Sequence, residues 1–169
     1  MVWKELPITE ESLSPLALLS KGKLLLTATA GEKCNTMTIA WGALGTMWGV
    51  PLIFYAVRPC RYTYEFTEAG DTVTFSCLDA KYGAAVAYCG THSGRAEDKL
   101  SAAGLAPVIM PCGAHAVAEA HLIIAAKKIY SHPISERELC DRALEAIWYE
   151  KDPYHTLYAA KIERIYVKS

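Results

Sequence analysis

The hexapeptide Arg58-Pro59-Cys60-Arg61-Tyr62-Thr63 carries the most pointed binding chemistry in the chain. Two guanidinium groups bracket a proline, and a hydroxyl follows two residues after the second of them. A guanidinium donates a forked pair of hydrogen bonds to an oxyanion, and a threonine hydroxyl adds another donor. Pro59 stops an apolar run, and a short helix is expected over Arg61 to Ala69, closed by Gly70. The first amides of a helix lack intrahelical partners and favour an anion. The competing reading is a pair of solvated surface charges, and composition alone favours it.

Two further clusters carry donors. Cys89 to Leu100 reads C-G-T-H-S-G-R-A-E-D-K-L, with Gly90 and Gly94 for tight turns and Ser93, Arg95 and Lys99 as donors. It lacks the G-x-x-x-x-G-K spacing of a Walker loop, and a plain loop before a helix is the bland alternative. Asp152 to Tyr158 reads D-P-Y-H-T-L-Y and sets His155, Thr156 and Tyr158 at the mouth of a final strand. A histidine in such a place is more often structural than catalytic. His92, His115, His121 and His132 have no metal-ligand spacing, and the six cysteines include no C-x-x-C pair. Cys60, between two arginines, and Cys89, near His92, are weak nucleophile candidates.

These clusters need elements to hold them. Lys23 to Ala30 reads as a buried strand, Asn35 to Leu44 as a second, Gly45 to Gly49 as a turn and Pro51 to Val57 as a third. The polar start of the second strand, Asn35, Thr36 and Thr38, could hold a flat heterocycle by its backbone amides. Glu10 to Leu19 is a candidate short helix in a lead-in segment over residues 1–20. Thr72 to Cys77, Val108 to Cys112, Val117 to Tyr130 and Leu157 to Lys168 read as extended. Asp79 to Cys89, Arg95 to Ala103 and Ser135 to Ile147 read as helices. Six or seven strands with clustered short helices, and no G-x-G-x-x-G after a strand, argue against a dinucleotide fold. They favour an antiparallel barrel, closed or partly closed.

The 169 residues fit one domain, 1–169, and a composition 52% hydrophobic and 21% charged fits an ordinary globular core. A net charge of −1 offers no general attraction for nucleic acid or an anionic membrane, so any anion site is local. Trp41 and Trp48 therefore read as core or interface aromatics, not as a nucleic-acid stacking platform. No apolar run reaches the ~20 residues of a membrane helix. With no secretory signal at the start, the expectation is a cytoplasmic protein with reduced thiols.

In combination, N-T-M-T-I-A-W-G, V-R-P-C-R-Y-T, C-G-T-H-S-G-R-A-E-D-K-L and D-P-Y-H-T-L-Y-A-A-K-I resemble the flavin reductase-like family of FMN-binding split barrels, particularly its flavoredoxin-type branch. The resemblance runs in order over roughly residues 20–165. It implies a mainly β fold, a six-stranded antiparallel split β-barrel with inserted short helices, in a homodimer with FMN near the interface. It implies that Asn35, Thr36, Met37 and Thr38 lie along the isoalloxazine and ribityl chain. Arg58, Arg61 and Thr63 would lie near the phosphate. Ser93, Gly94, Arg95 and Lys99 would complete the pocket or shape its entrance, and His92, His155 and Tyr158 would stand on the substrate side. The last strand departs from the family pattern: Ala160 and Lys161 replace a glycine and an acid.

The implied function is an oxidoreductase that passes electrons from NADH, NADPH or another donor through FMN to a flavin, metal or protein acceptor. The cofactor carries the chemistry, so no indispensable acid–base side chain is expected. Two rivals remain: an electron carrier served by a redox protein partner, and a non-flavin module that binds another anion at Arg58 and Arg61.

Overall fold

The computed structural model describes residues 2–8 and 24–168. The helix expected over Glu10 to Leu19, and Lys23, lie outside them. Strands β1 (Trp3–Leu6), β2 (Leu24–Ala30), β3 (Lys33–Ile39), β4 (Gly42–Met47) and β5 (Val50–Val57) come first. Helix α1 (Tyr62–Ala69) and strand β6 (Thr72–Cys77) follow. A 3-10 turn leads into α2 (Gly83–Thr91), then come α3 (Lys99–Ala102), β7 (Pro107–Ile109) and β8 (His115–Val117). Strand β9 (Leu122–Pro133), α4 (Ala143–Trp148) and β10 (Thr156–Lys168) complete the chain.

Eight strands form one antiparallel sheet in the order β3-β2-β6-β9-β10-β5-β4, with β1 paired to β10; β7 and β8 pair separately. The split-barrel character expected from the sequence is present, with eight strands in place of six and with a sheet that does not close. The lead-in segment supplies one of the additional strands, β1.

The expected Asn35 to Leu44 strand is two strands. Residues of β3 pair with β2, whereas β4 pairs with β5, at the opposite end of the sheet order. The chain changes partners at Ala40-Trp41, where the Trp41 carbonyl accepts from the Ala56 amide at 3.3 Å. A continuous apolar pattern does not reveal a change of pairing partner. The β4–β5 turn is Trp48-Gly49, with φ of 54° and 71°, the left-handed pair that a tight two-residue hairpin requires.

Alternation along β2 explains the packing. Leu24, Leu26 and Ala28 face the sheet interior with Tyr55, Phe75 and Tyr158. Leu25 faces outward, into a second core with Val86, Cys89 and Val117 that seats α2 and the β7–β8 ladder. Other expected elements are shorter than their apolar patterns. The Val117 to Tyr130 run turns at Ala118 to His121, where the His121 amide donates to the Cys77 carbonyl at 3.0 Å. In Ser135 to Ile147 the Ser135–Glu138 capping box forms over a single 3-10 turn, and the helix proper waits until Ala143. Asp79 does not cap with its side chain; its carboxylate meets His121 at 3.2 Å.

Candidate functional site

The Arg58 to Arg61 corner is a turn in which the Arg61 amide donates to the Arg58 carbonyl at 3.0 Å, with Pro59 at the position its fixed φ suits. It delivers the chain to α1 with Arg61 at the N-cap, where no side chain caps the first amides. Thr63, in the first turn, is 1% exposed and accepts from Asn35 Nδ2 at 2.6 Å, which ties α1 to β3. Gly70 ends the helix in an extended conformation, not a left-handed one. It is required by proximity, because a Cβ there would lie 1.9 Å from the Thr29 carbonyl oxygen.

Two adjoining cavities open beside β3, which ends the sheet order. The smaller, about 80 Å³, is lined by Arg61, Thr63, Ser93 and Lys99, with His92 and Cys60 at its margin. The larger groove, about 260 Å³, is lined by Met37, Thr38, Trp41, Arg58, Trp148 and His155. Met37 and Arg61 line both, so cradle and groove adjoin.

Lys99 is 5% exposed and donates to the Cys89 and His92 carbonyls at 3.2 and 3.3 Å, two of its three donors. Burial, and then the nearby Arg61, hold its ammonium below the usual lysine range, while Cys89 and Glu97 oppose the shift. Burial raises the Cys89 thiol, which argues against a thiolate nucleophile there. Arg61 donates to the Gly90 carbonyl at 3.2 Å.

At the groove, the His155 ring lies 4.5 Å from Trp41, and Trp148 meets Trp41 edge-on at 4.8 Å. His155 Nδ1 is 3.2 Å from the Tyr149 hydroxyl. Burial, then the charges of Arg58 and Arg61, pull the imidazole down to about 4, so it is neutral at pH 7. The Thr38 hydroxyl donates to the Val86 carbonyl, and Gly90 lets α2 approach that threonine closely.

Several expected site residues lie elsewhere. Asn35, Thr36, Gly94 and Arg95 line a third cavity of about 620 Å³ beyond Tyr62, whereas Lys99 and Tyr62 border both it and the cradle. The Thr36 hydroxyl bonds to Thr27 at 2.8 Å, and Arg95 pairs with Glu65 while lying 4.8 Å over the Tyr62 ring. Gly94 is demanded by contact, since a Cβ would sit 2.1 Å from Asn35 Oδ1. His92 stacks on Tyr88 at 3.6 Å and lines the cradle.

Tyr158 corrects the expectation most clearly. It is fully buried in the sheet interior, stacked 5.0 Å from Tyr55, and its hydroxyl donates to Glu68 at 2.7 Å. Three residues after His155, the strand's alternation turns Tyr158 inward. The Ala160 and Lys161 departure also stands apart from the groove: Ala160 fills the interior, and Lys161 borders another cavity with Cys112 and Arg164. Trp148 and Tyr149 lie outside the motifs that the sequence singles out. The aromatic pair just before D-P-Y-H was the available signal. Trp48, expected as a core or interface aromatic, is 57% exposed at the hairpin tip.

Among the described residues no group of three His, Cys, Asp or Glu side chains is placed to hold a metal ion. No described helix is long and apolar enough to cross a membrane. What the geometry does provide is a cationic cradle at a helix start, beside an aromatic groove on an open antiparallel sheet. Residues 16–169 match the flavin reductase-like domain, and the chain belongs to that family.

The fold agrees with solved structures. An FMN-binding domain of a flavin reductase-like enzyme from Shewanella baltica OS155 aligns with TM-score 0.71 and 16% identity, over 98% of this chain and 77% of that one. The flavoredoxin of Desulfovibrio vulgaris (Miyazaki F) aligns with TM-score 0.68 and 22% identity, over 98% and 78% of the two chains. An NADH:FAD oxidoreductase of Streptomyces globisporus C-1027, in complex with NAD and FAD fragments, gives 0.64 and 15%, over 87% and 75%. At these identities the likeness establishes the fold. No curated protein matches the sequence.

Proposed function

We propose that this chain is a single-domain, FMN-binding oxidoreductase of flavin reductase type, working as a cytoplasmic homodimer. The observation that carries the reading is that cradle and groove adjoin, with Arg61 and Met37 lining both. The start of α1 has no capping side chain, and Arg61, Thr63, Ser93 and Lys99 gather around a cavity of about 80 Å³, which suits a phosphate. Arg58 Nε is buried without a hydrogen bond at the groove, a polar atom that supports an occupant there. These residues fit a planar heterocycle with an anionic tail.

Bound FMN would supply two-electron acceptance from NADH or NADPH and onward delivery to a flavin, a metal or a protein. The residues of this chain bind and orient. Arg61, Thr63 and the first amides of α1 hold the phosphate. Lys99, braced by two carbonyls, adds charge at short range. Met37, Trp41 and Trp148 exclude water from the ring. His155, neutral and bonded to Tyr149, offers a polar group without a charge to desolvate. No side chain in the groove is poised as an indispensable acid or base, so replacing His155 is expected to slow turnover modestly.

Exposed Ile147 and Trp148 beside the groove favour a second reading, an electron carrier that docks a redox protein. The test is an absorbance spectrum of the purified protein with added FMN, then anaerobic titration with NADH and NADPH. Bleaching of the flavin band supports the reductase. Bound flavin that neither nicotinamide bleaches supports the carrier. A protein that takes up no FMN refutes both.

A further inference from the structure

Arg58 and Arg61 look equivalent in sequence but have different surroundings. Arg61 is exposed and lines both cradle and groove; Arg58 lines the groove alone. The Arg58 side chain is 13% exposed, and its Nη1 meets Asp152 Oδ2 at 2.5 Å. Its Nη2 donates to the Trp148 carbonyl at 2.8 Å, and its guanidinium carbon lies 5.9 Å over the Tyr149 ring. Three contacts thus run to one short stretch, residues 148–155.

That stretch builds a wall of the groove with Trp148 and His155. Its end is anchored where the His155 carbonyl accepts from the Ile134 amide at 2.9 Å, but residues 148–154 have little support of their own. Helix α4 has six residues, too few to be stable by itself. Tyr149 and Tyr154 stack at 4.4 Å, and Tyr154 donates to Glu145 at 2.6 Å, contacts made within the stretch and its helix. Trp41 touches Trp148 and His155 from the β3–β4 junction. Arg58 is the charged tie between this stretch and the end of β5.

We infer that Arg58 is a positioning residue: it latches the Trp148–His155 segment in place as a groove wall, and it does not grip the phosphate. The inference rests on the proposed FMN reading for the identity of the ligand, but not for the latch itself. Asp152 is solvated on its outer side, so the ion pair alone is worth little; what Arg58→Gln removes is the charge-assisted bond to the Trp148 carbonyl and the guanidinium packing on Tyr149, and the effect is local. Arg58→Gln keeps a donor and loses the charge and the fork.

Two measurements on the full chain test it. Amide hydrogen exchange across residues 148–155 is expected to speed up about tenfold or more in Arg58→Gln, from the loss of charge-assisted hydrogen bonds, with α1 unchanged. Asp152→Asn, a surface change at a side chain 56% exposed, is expected to act in the same direction less strongly, and serves if Arg58→Gln does not fold. In equilibrium titrations, Arg58→Gln is expected to weaken FMN and riboflavin by the same factor. Unchanged exchange in 148–155, or a loss confined to FMN, would overturn the latch. If wild-type protein binds neither flavin, the FMN reading fails and the exchange measurement alone decides the latch.

Discussion

Tyr55 and Tyr158 stack 5.0 Å apart in the sheet interior, while Trp41, Trp148 and His155, from the β3–β4 junction, α4 and the start of β10, meet at the groove. The first cluster is sealed. Its rings are fully buried beside Phe75, and the Tyr158 hydroxyl is bonded to Glu68. The second is open: Trp148 is 45% exposed, and its neighbour His155 is held by the hydroxyl of Tyr149 and by ring contacts. Strand alternation makes the difference. Where β5 and β10 are fully paired, the inward residues have no access to solvent. Where they run out, at Arg58 and His155, side chains reach the rim. The interior cluster holds the fold, and the rim cluster is free to hold a ligand.

Truncating the interior should cost most. Tyr158→Ala removes a fully buried ring and is expected to lose about 3–5 kcal/mol of stability in chemical denaturation. Tyr158→Phe, which loses the Glu68 bond, should cost about 1–2 kcal/mol. Flavin affinity unchanged in Tyr158→Phe confirms the separation of the clusters, and a large loss of affinity would break it.

A pH effect of intermediate size belongs to the rim. His155 titrates near 4 when folded against about 6.5 when unfolded, so the unfolded chain binds the extra proton between those values. Stability is therefore complete above pH 6.5 and falls as pH drops toward 4, by up to about 3 kcal/mol from this group. Denaturation at pH 7 and pH 4.5 should show a smaller difference in His155→Gln than in wild type. An equal difference in both would show that His155 is not buried neutral.

Trp148→Ala should change stability least, within about 1 kcal/mol, because the ring is half exposed. It should still weaken flavin binding several-fold. Loss of stability without loss of binding would make Trp148 part of the core and erase the contrast.

Much of this was legible in the residues. Pro59 and the Arg61 to Ala69 pattern locate the helix start, and the R-P-x-R-x-T and S-G-R-x-x-D-K elements pick out both sides of the cradle. What the residues leave open has physical causes. Arg58 and Arg61 cannot be told apart by type or spacing, because what separates them is Asp152 and Trp148, distant in sequence. Tyr158 was placed at the mouth by its nearness to His155, but registry with Tyr55 turns it inward. Asn35 and Thr36 read as one polar wall with Met37 and Thr38, yet they border a different cavity, which shares Tyr62 and Lys99 with the cradle. Gly70 closes the helix as the pattern expects, and what requires a glycine there is the backbone of Thr29.

The central claim is that Arg61, Thr63, Lys99 and the start of α1 hold the phosphate of FMN, whose isoalloxazine fills the adjoining groove. Parallel titrations of wild type and Arg61→Gln with FMN and riboflavin test it directly. Charge-assisted bonds of this kind predict that wild type prefers FMN by about tenfold to a hundredfold, and that Arg61→Gln closes most of that gap while riboflavin affinity holds. Equal affinities of wild type for FMN and riboflavin would contradict the account.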